Sequence, residues 1–129
     1  MLRLYDVHDL DGLEAGKWGI REPDPLKEGI ERPEALQEGN LDLIVMPGVA
    51  FDNSLARLGY GRGYYDRFIN SYAEKYGESK IPRLVAVALD EQIVEPGIIP
   101  MESHDRALHS VLTLTRSYGG AKPSSEQTV

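Results

Sequence analysis

Two apolar runs constrain this chain more than any other feature: Leu41–Met46 (LDLIVM) and Leu84–Leu89 (LVAVAL). Each is strand-length and almost free of polar positions. That pattern reads as a strand buried on both faces of a parallel sheet. Pro47–Gly48 ends the first run sharply. Parallel neighbours need a crossover, and the sequence offers one. From Gly63 to Tyr76 the residues Tyr65, Phe68, Ile69, Tyr72 and Tyr76 share one face at helical spacing, which reads as core. Gly77 is placed to cap that helix. Strand, helix, strand is a βαβ unit. The expected class is therefore α/β, with an open, mainly parallel, Rossmann-like sheet and flanking helices. Val111–Thr115 reads as a third strand, after a Pro-containing loop over 90–103.

The remaining segments carry weaker signals. Met1–Val7 alternates apolar and polar residues, as a short strand does. Residues 8–40 are rich in Gly, Pro and Glu and read as irregular connection, with one helical turn near Pro33–Glu38. Trp18 in that stretch either pins the loop to the core or lines a ligand pocket. The end of the chain, GGAKPSSEQTV from Gly119, has the composition of a disordered tail. The expectation is thus one α/β domain over 1–118 and a tail over 119–129, incomplete at the N-terminal side of the sheet.

Charge and composition remove several functions. A net charge of −7 repels nucleic-acid phosphates, which argues against a general nucleic-acid binder. A local cluster of Arg and backbone N–H groups can still hold a phosphate. With no cysteine there are no disulfides, thiolate metal sites or Cys nucleophiles. No apolar run is long enough to span a membrane. The start, MLRLYDVHDL, lacks a basic region followed by an apolar run. The cytoplasm is the expected compartment, with a mitochondrial one left open for a longer form.

The chemistry-bearing segment is Pro47–Asp66, PGVAFDNSLARLGYGRGYYD. It follows a buried strand and runs into a helix, where open parallel sheets bind ligands. Gly59, Gly61 and Gly63 alternate with Tyr60 and Arg62, so successive N–H groups can converge on an anion. The helix start adds partial positive charge, and Arg57 and Arg62 add permanent forked cations. The spacing is neither the dinucleotide fingerprint nor a P-loop. The segment is either a phosphate cradle or a tight strand-to-helix turn. Asp66 either complements the helix dipole or holds Mg2+ beside a phosphate. Of Tyr64 and Tyr65, one faces the core and the other is free to stack on a ligand ring.

The string PGVAFD…RLGYGRGYYDRF closely resembles the signature of 5-formyltetrahydrofolate cyclo-ligases, also called methenyltetrahydrofolate synthetases. KWGIREP at 17–23, DEQIVEP at 90–96 and His104–Asp105 agree with it in order, and the resemblance covers roughly residues 1–116. It implies an enzyme that uses ATP and Mg2+ to convert 5-formyltetrahydrofolate to 5,10-methenyltetrahydrofolate. It implies ATP contacts from Arg57, Leu58, Gly59 and onward through Tyr65. Folate contacts fall to Tyr60, Gly61, Arg62, Gly63 and Tyr64, and the catalytic roles to Arg62 and Tyr64. Asp66 and Asp105 become the Mg2+ ligands, with His104 and Glu91 supporting the site.

Two departures qualify that implication. The family carries a further N-terminal segment, with a basic helix reaching the ATP phosphates and a Glu contacting the folate, and none of it is in this sequence. Where the family pattern places an Asp before the last strand, this chain has His109. A truncated, weakly active or inactive folate- or nucleotide-binding module is therefore the competing reading. Missing strands would also leave an apolar sheet edge prone to self-association.

Overall fold

The computed structural model describes residues 1–120. The chain divides into two compact units, Met1–Leu41 and Asp42–Val129, and the single domain expected over 1–118 spans both.

In the first unit, Asp6 starts a helix where alternation suggested a strand. Its side chain accepts from Asp9 N–H at 2.8 Å and caps α1 (Val7–Asp11). The segment Met1–Val7 keeps only a one-residue bridge, Leu2 to Glu34. Strands β1 (Leu26–Lys27) and β2 (Ile30–Glu31) make an antiparallel hairpin. The turn residues Glu28 and Gly29 both take positive φ, 51° and 80°, as tight hairpin turns favour. Helix α2 (Ala35–Glu38) is the helical turn expected near Pro33–Glu38.

An ion pair sits at the buried centre of this unit. Asp9 and Arg32 are the two buried residues among 1–41. Arg32 donates to both Asp9 oxygens, at 2.7 and 2.9 Å. Its remaining donors reach Asp24 O and Arg3 O. The Arg32 hydrogen bonds, with a further one from Tyr5 N–H, hold the Asp9 carboxyl far below the usual range. Trp18 is 83% exposed, so its reading as a core anchor is corrected.

The second unit runs β3 (Leu43–Met46), β4 (Ala50–Asp52), β5 (Arg57–Leu58), α3 (Tyr64–Tyr76), β6 (Arg83–Val87), β7 (Ile93–Val94), β8 (Ser110–Leu112) and β9 (Ser117–Gly119). Strands β3, β6 and β8 pair in parallel, with Val45 opposite Val85 and Ala86 opposite Val111. Strand β9 joins antiparallel to β8. This is the open, mainly parallel α/β sheet expected. A second sheet, in the order β5-β4-β7, forms from segments that read as loops. Gly119 belongs to β9 rather than to the tail; residues 121–129 of the expected tail lie outside those described.

Burial corrects the strand reading. Ile44, Met46, Leu84, Ala86 and Val111 are buried, together with Phe68, Ile69 and Tyr72 of α3. Alternate residues of a strand point to opposite faces, and the opposite face is open: Val45 is 59% and Val87 65% exposed. Of the expected helical core stripe, Tyr65 and Tyr76 are only half-buried. Gly77 ends α3 as expected, its N–H bonded to Ala73 O.

Candidate functional site

The link from β3 to α3 is a folded scaffold. Asp52, almost fully buried, accepts through Oδ1 from Ser54 N–H, Ser54 O–H and Ala56 N–H, at 2.9, 2.6 and 3.1 Å. Those bonds turn the chain from β4 back into β5. From across the unit, Gln92 Nε2 donates to Gly48 O and Val49 O. Asp52 lay inside the motif and its turn chemistry was readable; the partner of Gln92, distant in sequence, was not.

A cavity of about 630 Å3 lies over this scaffold. Its lining takes in every residue from Arg57 to Tyr65, and adds Asp66, His104 and Asp105. Tyr60 and Arg62 are exposed within it. Of the two adjacent tyrosines, Tyr65 is the half-buried one, its ring 5.8 Å from the Arg57 guanidinium carbon, and Tyr64 is exposed. Glu91 is exposed in the turn Asp90–Gln92 and is not among the lining residues. Its neighbour Gln92 makes the hydrogen bonds to Gly48 O and Val49 O.

Local backbone explains the glycines. Gly61 and Gly63 take φ of 91° and 64°, where an L side chain is strained. Gly63 is also the N-cap of α3 and offers no side-chain cap, which leaves the first-turn N–H groups open to an anion. A Cβ at Gly59 would come within 2.9 Å of Arg57 Nη1, so its absence makes room for that guanidinium.

Arg57 ties the site together. Its side chain is 6% exposed; Nη1 donates to Pro47 O at 3.0 Å and Nη2 to Asp66 Oδ2 at 3.1 Å. Its Nε is buried with no partner among the described residues, a donor awaiting an acceptor. The other oxygen of Asp66 accepts from Arg106 N–H. Asp105 accepts from Glu102 N–H at 2.9 Å, and His104 lies 3.4 Å from Glu102 and 3.3 Å from Asp105. One cavity thus brings together three arginines (Arg57, Arg62 and Arg67) and three carboxylates (Asp66, Glu102 and Asp105) from separate segments.

The chain matches the 5-formyltetrahydrofolate cyclo-ligase family over residues 1–114. This chain belongs to that family. Among curated relatives, a "Probable 5-formyltetrahydrofolate cyclo-ligase" of Schizosaccharomyces pombe is 37% identical over 118 residues, covering 88% of this chain and 55% of the relative. A "5-formyltetrahydrofolate cyclo-ligase" of Mus musculus is 39% identical over 112 residues, covering 87% and 52%. A "5-formyltetrahydrofolate cyclo-ligase, mitochondrial" of Arabidopsis thaliana is 34% identical over 116 residues, covering 87% and 42%. The chain spans about half the length of these cyclo-ligases.

Two features bear on whether a cation fits this cavity. Among the described residues no group of three or more His, Cys, Asp or Glu side chains could hold a metal by itself. Mg2+ does not require one: it takes one or two carboxylates, with waters and substrate phosphates completing its shell. Asp66 and Asp105, hard oxygen donors lining one cavity, fit that demand. His109 turns away to a structural task. Its Nδ1 accepts from Leu84 N–H at 2.7 Å, between β6 and β8, and it is not among the lining residues. Burial, then the Arg83 charge, push its pKa below the usual value. No helix among the described residues is long and apolar enough to cross a membrane.

Proposed function

We propose that this chain carries the nucleotide and folate site of an ATP-dependent cyclo-ligase. The reaction closes 5-formyltetrahydrofolate to 5,10-methenyltetrahydrofolate and releases ADP and phosphate. The observation that supports it most is the cavity in which Arg57–Tyr65 meets Asp66 and Asp105. In this reading the formyl oxygen attacks the γ-phosphorus, the bond to the bridging oxygen breaks, and ADP leaves. N10 then attacks the activated carbon, the carbon–oxygen bond breaks with loss of phosphate, and N10 gives up its proton.

Such chemistry depends on positioning and on stabilising phosphate charge. The backbone of Gly59–Gly63 and the start of α3 hold phosphate oxygens. Arg62, exposed in the cavity, meets the charge that develops on the transferred group. Tyr60 and Tyr64 offer exposed rings to a flat pterin. Asp66 and Asp105 would hold Mg2+, whose charge offsets that of the phosphates. The partners are the two small molecules, with no nucleic acid and no membrane, and the site of action is the cytoplasm.

A second reading is binding without turnover, since the cavity lining offers cations and exposed rings that can hold a ligand. The test is formation of methenyltetrahydrofolate, followed by absorbance, from 5-formyltetrahydrofolate, ATP and Mg2+. Turnover lost in Asp66→Ala supports the enzyme. Calorimetric binding of ATP or folate without turnover supports the binding module. A folded chain that binds neither removes both readings.

A further inference from the structure

Asp66 and Asp105 come from different segments, so something must fix the distance between them. Among the described residues, Asp105 makes its contacts within its own turn, accepting from Glu102 N–H and lying 3.3 Å from His104. Its two neighbours, however, are both fastened to the helix that bears Asp66. Asn70, one helical turn on from Asp66, donates through Nδ2 to His104 O at 2.9 Å. The same amide accepts from Arg106 Nε at 2.8 Å. Arg106 N–H donates to Asp66 Oδ1 at 3.1 Å. The Arg106 guanidinium is held from behind by Glu78, whose two oxygens accept from Nη1 and Nη2. That pairing also lowers the pKa of Glu78. Arg106 is half-buried and Glu78 exposed, so the clamp rests on the bonds to Asp66 and Asn70 and gains little from the outer ion pair.

We propose that Asn70 and Arg106 are positioning residues: they hold the 104–106 turn on α3 and so set the separation of Asp66 and Asp105. Through that separation they set the affinity of the site for a divalent cation. The proposal rests on the reading that those two carboxylates take Mg2+. Neither residue is a ligand. Arg106 acts through its backbone on one carboxylate and through its side chain on the turn that carries the other.

Charge makes the claim sharp. A cation near a metal site repels the metal, so removing Arg106 for electrostatic reasons alone would tighten binding. Removing a positioning clamp weakens it, by the tenfold or more typical of residues that orient metal ligands.

The experiment uses the full chain and Mn2+, a paramagnetic stand-in for Mg2+, titrated in saturating ATP and followed by water-proton relaxation. No turnover is needed. In Arg106→Leu the Mn2+ affinity should fall about tenfold while metal-free ATP affinity stays within about twofold, and Arg106→Lys should recover part of the loss. Asn70→Ala, which leaves the Arg106–Glu78 pair in place, should fall in the same direction and decides the matter if Arg106→Leu does not fold. Unchanged or tighter Mn2+ binding in a folded Arg106→Leu or Asn70→Ala overturns the positioning role. A wild-type chain that takes up no Mn2+, or Asp66→Ala indistinguishable from wild type, overturns the cation reading and the clamp with it.

Discussion

The two units solve the same problem with opposite materials. Residues 42–120 bury Met46, Phe51, Ile69, Tyr72, Leu84 and Val111 almost completely. Residues 1–41 bury one acid and one base, and no large apolar side chain. An apolar core is additive and tolerant, because each buried group removes its own area from water. A buried ion pair is neither: with both partners present it roughly balances its desolvation, and with one missing it leaves a bare charge. The buried interior of the first unit is therefore one ion pair, and that of the second many apolar side chains.

The comparison can be broken at its largest effect first. Phe51→Ala should cost about 3–5 kcal/mol, read from urea unfolding followed by Tyr fluorescence. A loss under about 1 kcal/mol would show that the core is not carried by such residues. Arg32→Met should next abolish slow amide exchange over 1–41 and leave that of β3, β6 and β8 unchanged. Asp9→Leu combined with Arg32→Met should restore part of the protection, which a merely surface pair would not require.

pH separates the units more finely. His109 titrates lower when folded, so the folded state favours its neutral form. Above about pH 6.5 its contribution is complete; below that the unfolded chain takes the proton first, and stability falls as pH drops toward the lowered value. Protection factors in β6 and β8, corrected for the intrinsic exchange rate, should fall as pH drops below about 6.5, and His109→Gln should flatten the trend. Asp9, also lowered, keeps its contribution until the pH passes below about 4. Protection factors over 1–41 should thus be flat in the window where those of β6 and β8 fall. The smallest effect is local. Gly61→Ala has open space around its Cβ, so only the φ of 91° resists it, at about 1 kcal/mol. Thermal unfolding measures that cost.

What the sequence made legible was the part written in local pattern. The strand-helix-strand order, the Gly77 stop and the clustering of Arg57–Asp66 all follow from periodicity, turn residues and a contiguous motif. Misreadings fell where two local signals competed or where a distant partner decided. Met1–Val7 alternates like a strand, yet Asp6 was an N-cap with a helix behind it. LDLIVM and LVAVAL are apolar on both faces, and composition cannot say that only one face is covered. The β4–β5 hairpin depends on Asp52 folding over Ser54 and Ala56, inside a stretch that glycine and proline make look slack. Asn70, Gln92 and Arg106 were invisible because each bonds to a group far along the chain.

The parallel register of β3 on β6 has a kinetic consequence. The two strands cannot meet until the hairpin, the glycine loop and α3 between them have been traversed, so their pairing closes a long loop. Helix and hairpin form from near neighbours and come early; the sheet comes late. Asp66 sits on the crossing helix and the 104–106 turn beyond the second strand, so the cavity exists only after that slow closure. Any molecule it holds therefore binds the finished fold and not its precursors. Its concentration in the cell will then act as a brake on unfolding and on proteolysis.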